Sequence, residues 1–364
     1  MAHTTGGPAP ERLFMGEFAP ALVCLCAIVL LCPCALAQPD PSGIDFVTVG
    51  DPGNPNWTGG GTNNNRGGVG YEFKIGRFEV TTAQWVEFMN AAFDRPAGDA
   101  IPFLGSPTSW TAERITPQNG GTRRWAAPAG GEMNVVGGVN WRTSAIYCNW
   151  LHNGKGTSRA AFMNGAYDVS TFGGNVTYTD QVTRSPGAQY WIPSIDEWIK
   201  AAHWDPNKNG SGDYWLWANS SDTLPVYGPP SVLVNGQPTT ANAGWNGSIF
   251  PGYNPFDIPL NAYPTALSPW GLVDTAGATT EWTEEVLHIP GEQFFRERFH
   301  EGSPWNRAVF FDDHVNTTGG GIFPTFDGYT QGLRVAAAVP LPGTMLGFVA
   351  AALLRYRLAF VRRR

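Results

Sequence analysis

The sequence predicts an α+β protein consisting of one irregular, loop-rich domain, and three observations lead to this class. The 364 residues include 45 Gly and 30 Pro, which favour turns and loops over long regular elements. They also include 15 Trp, 11 Tyr and 21 Phe, enough for a large aromatic core. Helical and extended periodic segments are both present, but they are few. With 15% charged residues and no fixed repeat, the chain is not collagen, a coiled coil or charged disorder.

Two segments near the start of the domain alternate apolar and polar residues as half-buried strands do. They cover residues 46–50 and 71–80. The stretch between them, 51–70, is rich in Gly and Asn and predicts a surface loop.

Three amphipathic helices follow. The first begins after Thr81, which forms a capping box with Gln84, and the third begins after Ser194, which has the same spacing to Glu197. The second spans about 141–152 and stops at Asn153-Gly154. Their apolar faces contain Trp85, Phe88, Met89 and Ala92, then Ile146, Tyr147, Trp150 and Leu151, then Trp198, Ala201 and Ala202. Beyond these helices the sequence predicts mostly loops and short strands.

The first 37 residues predict a secretory signal. Arg12 precedes an apolar run over 18–31, and Ala35-Leu-Ala37 supplies a cleavage site of the A-x-A type. A buried core helix or a retained membrane span is the alternative, but the run is short for a bilayer and stops before Pro33. A lipoprotein signal at a cysteine beside that proline fits less well, because the preceding residues are not small.

Residues 339–364 predict a C-terminal membrane anchor. Val339-Pro-Leu-Pro342 introduces an apolar stretch over 343–354, and the chain closes with Arg362-Arg-Arg364. A basic block after an apolar helix stays on the cytoplasmic side. This order resembles the PEP-CTERM sorting tail of bacteria that use an exosortase, with Leu341 in place of the family's glutamate. A plain anchor is the alternative, and both predict an exported protein at the cell envelope or surface, held in the membrane by its C-terminus.

Residues 44–338 form the one predicted domain between these ends. Without the ends, 17 Lys and Arg face 28 Asp and Glu, a net charge of −11. That sign opposes phosphate backbones, so we expect no nucleic-acid partner. The other four cysteines lie in the predicted signal, and Cys148 remains alone, which excludes an intramolecular disulfide and a cysteine metal cluster in the domain.

Several blocks of the domain resemble the successive motifs of one family, in the same order. They are Phe73 to Phe88, Val139 to Leu151, Trp191 to Ala202, Ala241-Asn-Ala243, Ser268 to Gly277, Glu281-Trp-Thr283, His300-Glu-Gly-Ser303 and Gly332 to Ala336. The family is that of the sulfatase-modifying factors. The resemblance spans about 47–337 and implies the formylglycine-generating-enzyme fold, which is related to C-type lectins.

The founding enzymes of that family oxidise a sulfatase cysteine to formylglycine with a late pair of cysteines that binds copper. Soft thiolates suit Cu(I) and engage the substrate thiol. This sequence has no cysteine between Glu281 and Gly332. The corresponding pocket offers Ser303, Arg307 and His300, which are the candidates for any remaining chemistry. We therefore expect no copper and no formylglycine formation by the known route.

Other candidate groups are predicted to be structural. Cys148 lies within the second helix, where a free cysteine is expected to be an inert core residue. The thiohistidine-forming branch of the family binds iron through histidines, but the histidines of this domain lack ligand spacing. Asp312-Asp-His314 is expected to be an acidic turn beside a surface histidine.

The resemblance also implies calcium, which takes six to eight oxygen ligands. The segment 274–281 resembles the family segment that binds one ion, with side chains of Asp274 and Glu281 and carbonyls of Gly277 and Thr279 as ligands. A second site would use Asn242, the carbonyls of Ala243 and Phe256, and Asn254 or Asp257. For all these residues the alternative is turn formation without an ion.

Two functions of different class follow. The first is a non-catalytic cell-surface binding module that presents tryptophans to an extracellular glycan or protein. The second is a divergent formylglycine-generating-type oxidoreductase with altered site chemistry. The tryptophans proposed for sugar stacking are Trp57, Trp110, Trp125, Trp215, Trp217, Trp245 and Trp305. The missing thiols favour the binding module.

Overall fold

The computed structural model describes residues 1–3, 7, 39–245, 247–306 and 312–340. The chain divides into Met1–Pro39 and Asp40–Arg364, and all the elements below belong to the second unit. The predicted signal and most of the predicted tail lie outside the described residues. Among the residues that are described, no helix is long and apolar enough to cross a membrane.

The three predicted helices are confirmed. α1 spans Thr82–Phe93, α2 spans Trp141–His152 and α4 spans Ile195–His203, and a short α3 over Ala160–Met163 lies between the last two. Both capping boxes form, at Thr81 with Gln84 and at Ser194 with Glu197. Asn140 caps α2 through its side chain. The helix starts therefore follow from side chains that satisfy the free N–H groups of the first turn.

A first sheet joins the two ends of the domain. Its strands are β1 Phe46–Val49, β2 Phe73–Gly76, β5 Tyr190–Trp191 and β14 Ala336–Ala337, in the order β1-β2-β14-β5 and all antiparallel. Both strands predicted at the start of the domain are present, although β2 is shorter than the alternating segment. One face of this sheet buries Val49, Phe73 and Ile75 against the helices.

A second sheet contains the two longest strands, β10 Thr280–His288 and β11 Phe295–Glu301. With β12 Gly320–Ile322 and β13 Gln331–Gly332 it has the order β12-β11-β10-β13. These two strands depart from the expectation of mostly loops and short strands after the third helix. Residues 280–284 of β10 are buried on both faces, so the alternation that signals a half-buried strand is absent from the sequence.

Three two-stranded ladders complete the set of strands among the described residues. They are β3 Glu113–Ile115 with β4 Arg124–Ala126, β6 Trp204–Asp205 with β7 Asp213–Tyr214, and β8 Leu233–Val234 with β9 Gln237–Pro238. The mixture of four helices, short strands and long loops confirms the predicted α+β class.

The core is aromatic where α1 meets α2. Trp85, Phe88, Tyr147 and Trp150 pack with ring centroids 4.8 to 6.0 Å apart. Such contacts add to the stabilisation from burial by about 0.5–1.5 kcal/mol per pair. This cluster fixes the two helices against the first sheet and leaves the polar sites to the loops around them.

Candidate functional site

Ser303 is sealed inside the protein at the end of β11. It follows Gly302, whose φ of +77° turns the chain at the end of the strand. The side chain of Ser303 is fully buried. Its backbone N–H donates to Asp313 Oδ1 at 2.8 Å, and its hydroxyl donates to Asp313 Oδ2 at 2.6 Å. Both hydrogen-bond donors of Ser303 are thus bound to one carboxylate.

Asp313 is the centre of this cluster, and the sequence prediction for its surroundings is wrong. Asp312 and Asp313 are buried rather than part of a surface turn, and His314 is half-buried with its ring edge-on to Trp217. The hydroxyl of Tyr227 also donates to Asp313, at 3.0 Å. Burial raises the pKa of Asp313 to about 6, despite the three hydrogen bonds that it accepts.

The other two pocket candidates do not join Ser303 in an open site. His300 is buried in β11, and its ring lies edge-on to Trp282 with centroids 6.1 Å apart. Its carbonyl accepts a hydrogen bond from Thr318. Arg307 lies outside the described residues. Of the three candidates, the two that the structure describes are both enclosed.

Cys148 is a core residue, as predicted. It is fully buried in α2, within the cluster that contains Trp85 and Trp150. Burial, with a smaller contribution from Glu284, raises the pKa of the thiol well above its usual value. A Cu(I) centre needs accessible thiolates, and this buried thiol does not fit that group. Within the described ranges no cluster of three or more His, Cys, Asp or Glu side chains could hold a metal.

In the first predicted calcium segment, the carboxylate of Glu281 binds an arginine. Arg334 donates to both carboxylate oxygens of Glu281, at 2.7 to 3.0 Å, and Trp198 donates to the same group at 2.6 Å. Asp274 accepts the backbone N–H of Asn261 at 2.7 Å. A calcium ion at Glu281 would have to displace a buried, bidentate ion pair. These side chains therefore fit a structural ion pair better than a metal.

The two carbonyl positions of that segment also carry structural contacts. Gly277, at φ +92°, packs on the backbone of Asn242, where a Cβ would lie 2.6 Å from the carbonyl oxygen. The N–H of Thr279 donates to Glu79 at 3.2 Å. Glu79 is buried, and burial together with the nearby charge of Glu281 raises its pKa well above the usual value.

In the second predicted calcium site, Asn242 contacts the turn that contains the other predicted ligands. The side-chain amide of Asn242 donates to the carbonyl of Pro255 at 3.1 Å, which joins it to the turn over Pro255–Asp257. Its Oδ1 is buried and has no hydrogen-bond partner among the described residues. An unpartnered buried acceptor suits a hard cation. The other side chains favour a turn without an ion. The side chain of Asn254 accepts the N–H of Phe256, and both Asn254 and Asp257 are exposed.

The tryptophans do not form the exposed loops that the sequence suggested. Trp125, Trp217 and Trp245 are buried, which corrects their assignment to sugar stacking. The remaining four, Trp57, Trp110, Trp215 and Trp305, are half-buried. The exposed aromatic side chains are instead Tyr and Phe, among them Phe103, Phe323, Phe326 and Tyr329.

Three of these exposed side chains lie on one loop, 323–329. Its backbone is tied down where the N–H of Arg142 donates to Pro324, at 3.4 Å, and where the hydroxyl of Thr108 donates to Asp327, at 2.8 Å. Phe103 approaches the same region, because its ring lies 5.1 Å from the guanidinium of Arg142. The loop is thus a fixed, aromatic part of the surface.

One family model matches most of the chain. Residues 62–348 match the family described as Sulfatase-modifying factor enzyme 1-like domain, a match that includes the start of the predicted tail. No curated protein matches the chain.

Solved structures with similarity to this chain share little sequence identity with it. CarF is 16% identical, with a TM-score of 0.49 over 82% of this chain and 100% of its own. Variable protein 1 of Treponema denticola is 17% identical, with a TM-score of 0.45 over 81% and 95%. PvdO of Pseudomonas aeruginosa is 14% identical, with a TM-score of 0.39 over 81% and 92%. Because the family model matches most of its length, the chain belongs to the sulfatase-modifying factor enzyme 1-like domain family.

Proposed function

We propose that the chain is an exported, membrane-anchored binding module that does not carry out the cysteine oxidation of its family. The observation that supports this most directly is the burial and hydrogen bonding of Ser303. It stands in the block where the family resemblance implies reactive thiols, and its N–H and hydroxyl are both bound to Asp313 inside the protein. A fully buried hydroxyl lacks the access to substrate that nucleophilic catalysis requires, even though it donates to a carboxylate.

The divergent-enzyme alternative needs a reactive group that substrate can reach. Ser303 and His300 are enclosed, and Cys148 is buried with a raised thiol pKa. A thiol in the aromatic core cannot meet a substrate cysteine without unfolding α2. The binding module requires none of these groups to react.

The test is incubation of the purified chain with a sulfatase-derived Cys-x-Pro-x-Arg peptide, followed by mass spectrometry. The chain is produced in a host that lacks formylglycine-generating enzymes. We expect the peptide cysteine to remain unchanged with and without added copper. Appearance of the aldehyde product would reject the non-catalytic proposal and support the divergent enzyme.

Export and anchoring rest on the two ends of the sequence. The apolar run before Ala35-Leu-Ala37 supports cleavage and export, and the arginines at 362–364 support retention in the membrane. Exosortase-type sorting machinery is the proposed partner of the tail. Deletion of residues 341–364 should move the protein from the membrane fraction to the soluble fraction, and persistence in the membrane fraction would contradict the anchor.

Calcium is proposed as a structural ion at Asn242 and the turn over Pro255–Asp257. The unpartnered Oδ1 of Asn242 and the adjoining backbone carbonyls support it. Millimolar Ca²⁺ should raise the melting temperature by mass action, and Asn242→Ala should remove that increase. Asn207→Ala, at an exposed turn, is the matched control and should retain it. If millimolar Ca²⁺ does not raise the melting temperature of the wild-type chain, the proposed calcium site is wrong.

A further inference from the structure

An open cavity of about 410 Å³ lies at the end of α1, among loops that the sequence motifs did not single out. Its volume is near the lower end of the range of small-molecule pockets, roughly 300–1,000 Å³. The residues that line it come from α1 and from the segments that follow it, as far as Thr157.

One wall of the cavity is organised by Asp94. Its carboxylate accepts the backbone N–H groups of Gln118, Asn119 and Gly121 at 2.9 to 3.3 Å, and the guanidinium of Arg124 at 2.7 Å. Burial by itself would raise the pKa of Asp94, but these donors lower it to about 2. The loop over 118–121 is therefore fixed to the end of α1 by an ionised side chain.

A second wall is fixed by Asn90. Its amide donates to the carbonyl of Trp125 at 2.9 Å and accepts the N–H of the same residue at 2.8 Å. This pair of bonds aligns β4 with α1. A site with walls built in this way binds without first ordering its loops.

The charges in the cavity cancel. Arg124 pairs with Asp94, and Arg95 pairs with Asp99. Two cations and two anions leave no excess of either sign, which disfavours phosphates, nucleotides and free metal ions as ligands. A neutral polar ligand fits this balance.

The cavity offers both donors and acceptors to such a ligand. The side chain of Asp99 is 49% exposed and that of Arg124 is 24% exposed. Asn119 and Thr157 are exposed and add an amide and a hydroxyl. Ala91 and Pro96 supply apolar surface between them. Carboxylate, amide and guanidinium groups beside an apolar patch match the alternating hydroxyl and C–H faces of a sugar ring.

We propose that this cavity binds the neutral terminus of an extracellular glycan, about one or two sugar rings in size. The inference rests on the proposed binding function and names its ligand class. Asp99 and Asn119 would exchange hydrogen bonds with vicinal hydroxyls, and Arg124 would donate to a ring or hydroxyl oxygen.

The test is binding of the full chain to an array with neutral hexose and N-acetylhexosamine termini beside sialylated and sulfated ones. We expect neutral termini to bind. Asp99→Asn and Thr157→Ala should each weaken that binding by about tenfold, through loss of a ligand hydrogen bond. Glu87→Gln is the control, because Glu87 is on α1 but pairs with Lys155 outside the cavity lining.

Three results would overturn the proposal: no neutral glycan bound, acidic glycans preferred, or neutral binding unchanged in both cavity variants. Thr157→Ala alters an exposed side chain without an ion pair, so it guards against a folding defect in Asp99→Asn. Failure here is distinct from failure of the proposed function, because only conversion of the peptide cysteine rejects the non-catalytic module.

Discussion

Asp313 beside Ser303 and Asp94 beside the cavity are both buried aspartates, yet their environments are opposite. Asp313 accepts hydrogen bonds from Ser303 and Tyr227, which are neutral, and burial raises its pKa to about 6. Asp94 has an arginine and three backbone N–H groups, and its pKa falls to about 2 although burial opposes this. The first aspartate closes a region and the second organises an open one.

The difference shows where function can reside in this molecule. The region of Ser303, where the family resemblance implies the reactive block, is filled with its own hydrogen bonds. The cavity at the end of α1 has fixed walls and exposed polar groups. A ligand can therefore enter the second region but not the first.

The largest expected effect is loss of the carboxylate that closes the first region. Asp313→Ala leaves the N–H and hydroxyl of Ser303 and the hydroxyl of Tyr227 buried without partners. We expect it to lower the free energy of unfolding by about 3 kcal/mol, measured by urea denaturation. Asp45→Ala is the control, since that carboxylate is exposed and pairs with Arg77 at the surface, and it should cost less than about 1 kcal/mol. Equal costs would mean that the Ser303 region is not closed by Asp313.

The two aspartates should also give stability opposite dependences on pH. Because the pKa of Asp313 is raised in the folded state, its contribution is most favourable below about pH 4 and declines by about 3 kcal/mol as the pH rises to about 6. Because the pKa of Asp94 is depressed, its contribution is present above about pH 4 and is lost as the pH falls toward 2.

Unfolding free energies of Asp313→Asn and Asp94→Asn, measured from pH 3 to pH 8, check these signs. Relative to wild type, Asp313→Asn should become less destabilising as the pH rises. Asp94→Asn should become more destabilising as the pH rises. The same direction of change in both variants would contradict the comparison.

A smaller effect is expected at the edge of the closed region. Tyr227→Phe removes one of the three hydrogen bonds to Asp313 and leaves the ring in place. We expect a loss of about 1 kcal/mol in urea denaturation and a further rise in the pKa of Asp313, because a donor to the ionised form is gone. An unchanged stability would show that this hydroxyl does not support the carboxylate.

The least effect on folding is expected in the open region. Thr157→Ala should change the unfolding free energy by less than about 0.5 kcal/mol, because the side chain is exposed. A loss above about 1 kcal/mol would show that the residue supports the wall rather than faces a ligand.

Sequence patterns gave the helices of this fold because their signals are local. The capping boxes at Thr81 and Ser194 and the stop at Asn153 need only neighbouring residues. The strand β10 was missed because it is buried on both faces at its start and so has no alternation. Capping by neighbouring residues can be predicted from a sequence. Burial of a strand by segments that are distant in the chain cannot be predicted in this way.

The site was less accessible to sequence reasoning for the same reason. The motif identifies Ser303, but the sequence predicts a surface turn at its partner Asp313, and Tyr227, the other donor to Asp313, lies far away along the chain. The family resemblance implies calcium at Glu281, whereas the ion pair of Glu281 with the distant Arg334 is evident only from the structure. The cavity at α1 is formed by residues 90–157 without any shared motif.

Thiol labelling tests the contrast between the two regions most directly. In a Cys148→Ala background, Ser303→Cys places a thiol in the region predicted to be closed and Thr157→Cys places one at the cavity. A maleimide is applied to the folded proteins, and peptide mapping by mass spectrometry locates the label. We predict rapid labelling for Thr157→Cys and protection for Ser303→Cys until urea unfolds the chain. Equally rapid labelling of folded Ser303→Cys would contradict the account, because the family's reactive position would then be open to substrate.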